Sequence, residues 1–289
     1  VRLRTATALL GATAMLLTGC GSGEPPAAPP PPPPTSPMIM DAPAPATTPP
    51  PSTSASPVPA WQVGAHPLPR RPDGFGQVLP TPPELVDRAL PTKDLLPPPA
   101  DDQFAATVNG VPSSVLSRST WQAGCPVQVN ELRYLTLSFW GFDGRAHTGE
   151  LLVNGSVADT VVAVFRQLFA ARFPMEEMRV TRADELDAPP TGDGNNTSAF
   201  VCRPTRGQTT WSAHAYGLAI DVNPFCNPYT KGDLVLPELA SAYTDRSRAR
   251  PGMVLPGDAA VRAFTSAGWT WGGTWTEPKD IMHFSANGK

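Results

Sequence analysis

The sequence predicts an α+β domain with a mainly antiparallel sheet and flanking helices, preceded by a long non-globular segment. Three observations predict it. Strand-like and helix-like stretches both occur downstream of residue 104, but they do not alternate strictly, as a parallel βαβ fold would require. The strongest strand pair flanks turn chemistry suited to a hairpin. Upstream, 26 of the 38 prolines in the 289-residue chain fall between Pro25 and Pro99, a density that prevents a packed core. The remaining 186 residues, Phe104 to Lys289, are enough for one sizeable core.

The N-terminus carries Arg2 and Arg4 and then an apolar run from Ala6 to Leu17. That run is too short for a comfortable membrane span and has the character of an export signal. It ends in Leu17-Thr18-Gly19-Cys20, which resembles a bacterial lipoprotein cleavage box. Residues 1–20 are therefore expected to be a lipoprotein signal peptide. Lipidation at Cys20 would anchor the exported chain to the cell membrane, because two or more acyl chains hold where one is marginal. Residues 21–103, rich in Pro and Ala and including six consecutive prolines from Pro29 to Pro34, are expected to form a disordered tether with polyproline II character.

The expected globular domain is 104–289. Leu132 to Phe142 and Gly149 to Asn154 read as strands either side of Asp143-Gly144. Val157 to Phe173 then changes period, with Val161, Val164, Phe165, Leu168 and Phe169 at helical spacing, Ser156 available as a cap and Pro174 as a stop. A second helix, Ala259 to Ala267, is introduced by Asp258 and closed by Gly268. Short strands are expected over Met178 to Thr181, Gly217 to Asn223 and Ile281 to Ser285.

A formal net charge of -3 without a basic block excludes nucleic acid as the main partner, since phosphate binding needs clustered Lys and Arg. Of four histidines, His66 falls in the tether. The segment Ser212-Ala213-His214-Ala215-Tyr216-Gly217-Leu218-Ala219-Ile220-Asp221 places a histidine and a carboxylate seven residues apart. If Gly217 to Asn223 is a strand, Gly217, Ala219, Asp221 and Asn223 share a face stripped of bulk, leaving room for a metal beside Asp221. Near the C-terminus, Asp280-Ile281-Met282-His283 adds a carboxylate, expected in a turn, and another histidine. Two imidazoles and one carboxylate make a three-ligand set for Zn2+ that keeps a fourth position for water. Asp280 then remains as a general base, with Glu277 as its rival.

The patterns Ser-x-His-x-x-Gly-x-Ala-x-Asp and Asp-x-x-His resemble the D-alanyl-D-alanine carboxypeptidase-like zinc peptidases, relatives of vancomycin-resistance D,D-peptidases and phage L-alanyl-D-glutamate endolysins. The resemblance covers about Asn195 to Phe284 and implies His214, Asp221 and His283 as zinc ligands and Asp280 as catalytic base. Some members have glutamate in the base position, so the bond cleaved stays open between a terminal D-alanine and an endopeptidase site.

Arg203, eleven residues before His214, is suited to clamp a substrate carboxylate or a developing oxyanion, and Ser212 either to hydrogen-bond substrate or to form the turn. His147 is a candidate for the cleft rim. Trp269, Trp271 and Trp275 read as packing around Gly272-Gly273 rather than as a sugar platform. Besides Cys20, three cysteines remain in an oxidising location, allowing one internal disulfide. Cys125 with Cys202 is favoured and Cys202 with Cys226 is the runner-up. The expected function is zinc-dependent hydrolysis of a bond in peptidoglycan stem peptides by a membrane-anchored monomer facing the cell wall. The alternatives are a non-catalytic wall-binding lipoprotein that retains the fold, and a zinc hydrolase of other small peptides.

Overall fold

The computed structural model describes residues 61–205 and 208–288. The export signal, Cys20 and residues 21–60 of the expected tether lie outside the described residues. Three strands, β1 (Ala106–Asn109), β2 (Leu132–Trp140) and β3 (Ala146–Asn154), form an antiparallel sheet in that order. The β2–β3 hairpin closes through the expected turn. Asp143 Oδ1 accepts from the Arg145 amide at 3.0 Å, and Gly144 takes the left-handed conformation at φ 75°. Leu135, Leu137 and Phe139 on β2 and Leu151 and Val153 on β3 line the core.

Helix α1 (Ala158–Ala170) covers this core with Val161, Val164, Phe165, Leu168 and Phe169 all buried, as their spacing predicts. Ser156 does not cap it: the N-cap position is Val157, without a side-chain cap bond, and Asn154 instead caps the preceding turn, accepting from the Ser156 amide at 3.0 Å and its hydroxyl at 2.7 Å. Coming directly off β3, the Asn154 side chain reaches its own backbone two residues on and starts a 3-10 turn, Gly155–Val157, that runs into the helix.

The remaining elements are short: β4 (Glu177–Met178), β5 (Asn196–Thr197), β6 (Ala219–Asp221), β7 (Tyr229–Lys231), β8 (Leu234–Leu236), helix α2 (Ala259–Ser266), β9 (Thr270–Trp271), β10 (Lys279–Asp280) and β11 (His283–Ser285). They make two three-stranded antiparallel sheets, β6-β11-β9 and β10-β7-β8, and one parallel pair, β4 with β5. The predicted α+β class with a mainly antiparallel arrangement therefore holds. Helix α2 starts as predicted, Asp258 Oδ1 accepting from the Val261 amide at 2.8 Å. Its Phe264 stacks on Phe284 of β11 with ring centroids 4.0 Å apart, so the helical layer packs directly against the strand that carries His283.

Several expectations change. The strand predicted at Met178 to Thr181 is only β4. The one predicted at Gly217 to Asn223 shortens to β6, because Ala213–Tyr216 coils into a 3-10 turn that Gly217 terminates at φ 67°. A Cβ on Gly217 would sit 2.5 Å from the Asn154 amide nitrogen. Its small size therefore serves close packing on β3, and the expected room beside Asp221 does not come from it. Asp280, expected in a turn, lies on β10 opposite Tyr229.

The boundary at 103 also moves, because residues 61–103 pack on the domain. Leu85 is fully buried, the Trp61 indole donates to Asp193 at 2.8 Å, the Gly76 amide to Glu238 Oε1 at 2.7 Å and the Thr81 hydroxyl to the Leu239 carbonyl at 2.6 Å. Proline density conceals this from sequence reasoning. Apart from the single helical turn Pro83–Val86, the segment lies across the surface with little regular structure and is held by isolated apolar and polar anchors that leave no periodic pattern.

Cys125 and Cys202 form the favoured disulfide, with Cα atoms 5.8 Å apart. It links residues 77 positions apart, worth about 4 kcal/mol in the chain-entropy account. Cys226 is a buried free thiol whose pKa burial pushes up to about 12.

Candidate metal centre

Each of the three expected ligands is placed by a local device. Ser212 Oγ accepts from the His214 amide at 3.3 Å and caps the 3-10 turn, and Gly217 closes it by donating to the His214 carbonyl at 3.0 Å. His214 is thereby fixed by one and a half turns of chain. Asp221 and His283 stand directly opposite each other in the antiparallel β6–β11 pair, where side chains of facing residues project to the same side.

The three donor atoms converge. His214 Nε2 lies 3.2 Å from Asp221 Oδ1 and 3.2 Å from His283 Nδ1, and His283 Nδ1 lies 3.1 Å from Asp221 Oδ1. Tetrahedral zinc with donors at about 2.0–2.1 Å sets neighbouring donors about 3.3 Å apart, so this triangle fits one such ion. The tautomer suits it as well. His214 Nδ1 is 2.6 Å from the Ala199 carbonyl, which can only accept, so Nδ1 carries the proton and a neutral ring directs its Nε2 lone pair into the triangle. His214, Asp221 and His283 form a possible metal-binding triad.

The electrostatics match that geometry. Burial opposes charge on Asp221, but His214 and His283 beside it hold its carboxyl far below the usual carboxylate range. Asp280 goes the other way. Burial, and next the negative charge of Asp221, raise its pKa to about 7 against the opposing influence of His283 and Arg203. Its Oδ1 is buried and makes no hydrogen bond among the described residues, which leaves a proton-accepting oxygen uncommitted beside the triad.

Arg203 is half-buried and donates to the Pro204 carbonyl at 3.2 Å. Its positive charge is the smallest of the influences on Asp280 and favours the ionised carboxylate. Ser212 is engaged as the cap just described, the turn-forming one of the two roles open to it. His147 is buried, with Nδ1 2.8 Å from Asp94 and Nε2 3.1 Å from Asp143. It belongs to the turn end of the hairpin. Glu277 is exposed and accepts from the Gly232 amide at 3.1 Å, turned towards the β7–β8 connection.

Trp269 and Trp271 are core residues, Trp271 donating to the Ile281 carbonyl at 2.8 Å. Trp275 is different. It is half-buried, packs against the Gly272-Gly273 turn as expected, and also sets its ring centroid 5.6 Å from that of His283. The Ala199 carbonyl, which fixes the His214 ring, gives no signal in sequence because a backbone acceptor has no residue identity.

Residues 205–286 match the family model described as D-alanyl-D-alanine carboxypeptidase. No curated protein and no solved structure matches the chain.

Proposed function

We propose that the chain, whose residues 205–286 match the family model described as D-alanyl-D-alanine carboxypeptidase, is a zinc peptidase hydrolysing a bond in peptidoglycan stem peptides. The observation that carries this reading is the triangle of donor atoms 3.1–3.2 Å on a side, with the uncommitted Asp280 oxygen beside it. Held by His214, Asp221 and His283, zinc would supply a Lewis acid that polarises the scissile carbonyl and acidifies water near neutral pH. Asp280 accepts the proton of the attacking water and returns it to the leaving nitrogen, a task matched to a carboxyl whose pKa lies near neutrality. Arg203 offers its guanidinium to the oxygen on which negative charge develops, or to a carboxylate of the stem.

Incubating the chain with defined muropeptides, followed by mass spectrometry, tests the reading. Loss of terminal alanine, or scission within the stem, is expected with zinc and not with a chelator. Intact muropeptides in every zinc-loaded sample would favour the non-catalytic wall-binding alternative.

We further propose that the protein is exported and lipid-anchored at Cys20, facing the wall. The Cys125–Cys202 disulfide supports an oxidising location, and the apolar N-terminal run ending in Gly19-Cys20 supports the anchor. In cells, Cys20→Ala is expected to move the protein from the membrane fraction to the soluble or released fraction. Unchanged membrane retention would refute the anchor.

A further inference from the structure

The matched family region begins at residue 205, yet a continuous chain of buried hydrogen bonds leads from the triad to the segment expected to be a tether. Ala199 and Ser198 lie at its inner end. Ala199 accepts from His214, and Ser198 exchanges two backbone hydrogen bonds with Asp221, at 2.9 and 3.1 Å. Just before them, Thr197 Oγ1 accepts from the Asn223 amide at 3.1 Å, and Asn195 Oδ1 accepts from the Phe225 amide at 3.0 Å. The strip 195–199 thus runs alongside the ligand strand β6 and its extension, and it touches two of the three ligands.

Glu176 organises the outer end. Its amide donates to Asn223 Oδ1 at 3.3 Å, and its Oε2 accepts from Asn195 Nδ2 at 3.0 Å. Arg88 then grips the same carboxylate with both arms of its fork, Nε to Oε2 at 2.6 Å and Nη2 to Oε1 at 2.7 Å. Its guanidinium carbon stands 4.5 Å over the Phe225 ring. Arg88 is 1% exposed, Glu176 7%, Asn195 2% and Asn223 0%. A carboxylate this deeply buried needs its counter-charge, and without Arg88 it would protonate or draw in water. Either change loosens the Glu176–Asn195 contact, one of the anchors of the strip that holds His214 and Asp221.

We infer that Arg88 is a positioning residue for the His214–Asp221–His283 triad, acting through Glu176, Asn195 and the strip 195–199, so that residues around 88 are a working part of the metal centre and not a spacer. The inference rests on the metal-site reading above and not on the identity of the substrate.

The test is a Co2+ titration of the full chain followed by visible absorption, with Zn2+ affinity measured by chelator competition. Arg88→Met is expected to bind about 10- to 100-fold more weakly than wild type, the range typical of lost outer-shell support, with an altered Co2+ spectrum. Leu85→Ala, in the same segment but outside the hydrogen-bonded chain, is expected to lower stability and keep wild-type affinity. Wild-type affinity in folded Arg88→Met overturns the inference, and so does an equal loss in Leu85→Ala. Should Arg88→Met fail to fold, Arg88→Lys keeps the charge without the fork. Weaker binding there supports the inference and wild-type binding overturns it. A wild-type chain that binds neither ion sinks the metal-site reading itself, which the titration shows before any variant is compared.

Discussion

His214→Ala is expected to leave the protein without retained zinc after dialysis, while the wild type holds about one ion per chain. The substitution removes one corner of a triangle whose other two donors, Asp221 and His283, then offer only a bidentate site of low affinity. It also orphans the Ala199 carbonyl, so a loss of about 1–3 kcal/mol of stability accompanies it. The two effects are separable. Zinc at a thousand times its dissociation constant stabilises a binding-competent fold by about 4 kcal/mol, so added zinc is expected to raise the unfolding temperature of the wild type and not that of the variant. Losing the several kcal/mol that a bound Lewis acid contributes predicts a fall in kcat/KM of about a thousandfold or more. Elemental analysis of both proteins is the decisive measurement, and equal zinc in the two would remove the basis of the proposed function.

Asp280→Asn is expected to keep its metal and lose about two to four orders of magnitude in kcat, the range of a general base. The variant preserves shape and cannot take a proton. The pH profile gives a second readout with a definite sign. A general base must be ionised to act, so wild-type kcat/KM rises with pH as Asp280 loses its proton. Burial and the neighbouring Asp221 charge set that ionisation near 7, and a divalent cation in the triad opposes both and moves the limb to lower pH. Asp280→Asn is expected to lack this limb, and Asp280→Glu to retain one. Near-normal turnover of Asp280→Asn with an unchanged limb would transfer the role to another group, Glu277 first.

The parts of this protein legible in sequence are those that local chemistry specifies. Helix α1 follows from five apolar residues at helical spacing, α2 from the Asp258 cap, and the hairpin from Asp143-Gly144. The metal triad was legible because His214 and Asp221 sit within one turn and one short strand, and Asp280 and His283 within another four residues, so spacing alone carries most of the geometry. Gly217 looked like a vacancy beside Asp221, but it packs against Asn154, a contact spanning 63 positions that no local pattern announces.

Sequence by itself determined the fold class, the candidate donor set and the number of internal disulfides, because each depends on residue type, short-range spacing or cysteine arithmetic. Tertiary structure alone decided that residues 61–103 belong to the domain, that Trp275 stands at the site while its neighbours fill the core, and that Arg88 meets Glu176 across 88 positions. Those outcomes arise from burial and charge pairing between distant segments, and a proline-rich stretch carries no periodicity from which such a meeting can be read.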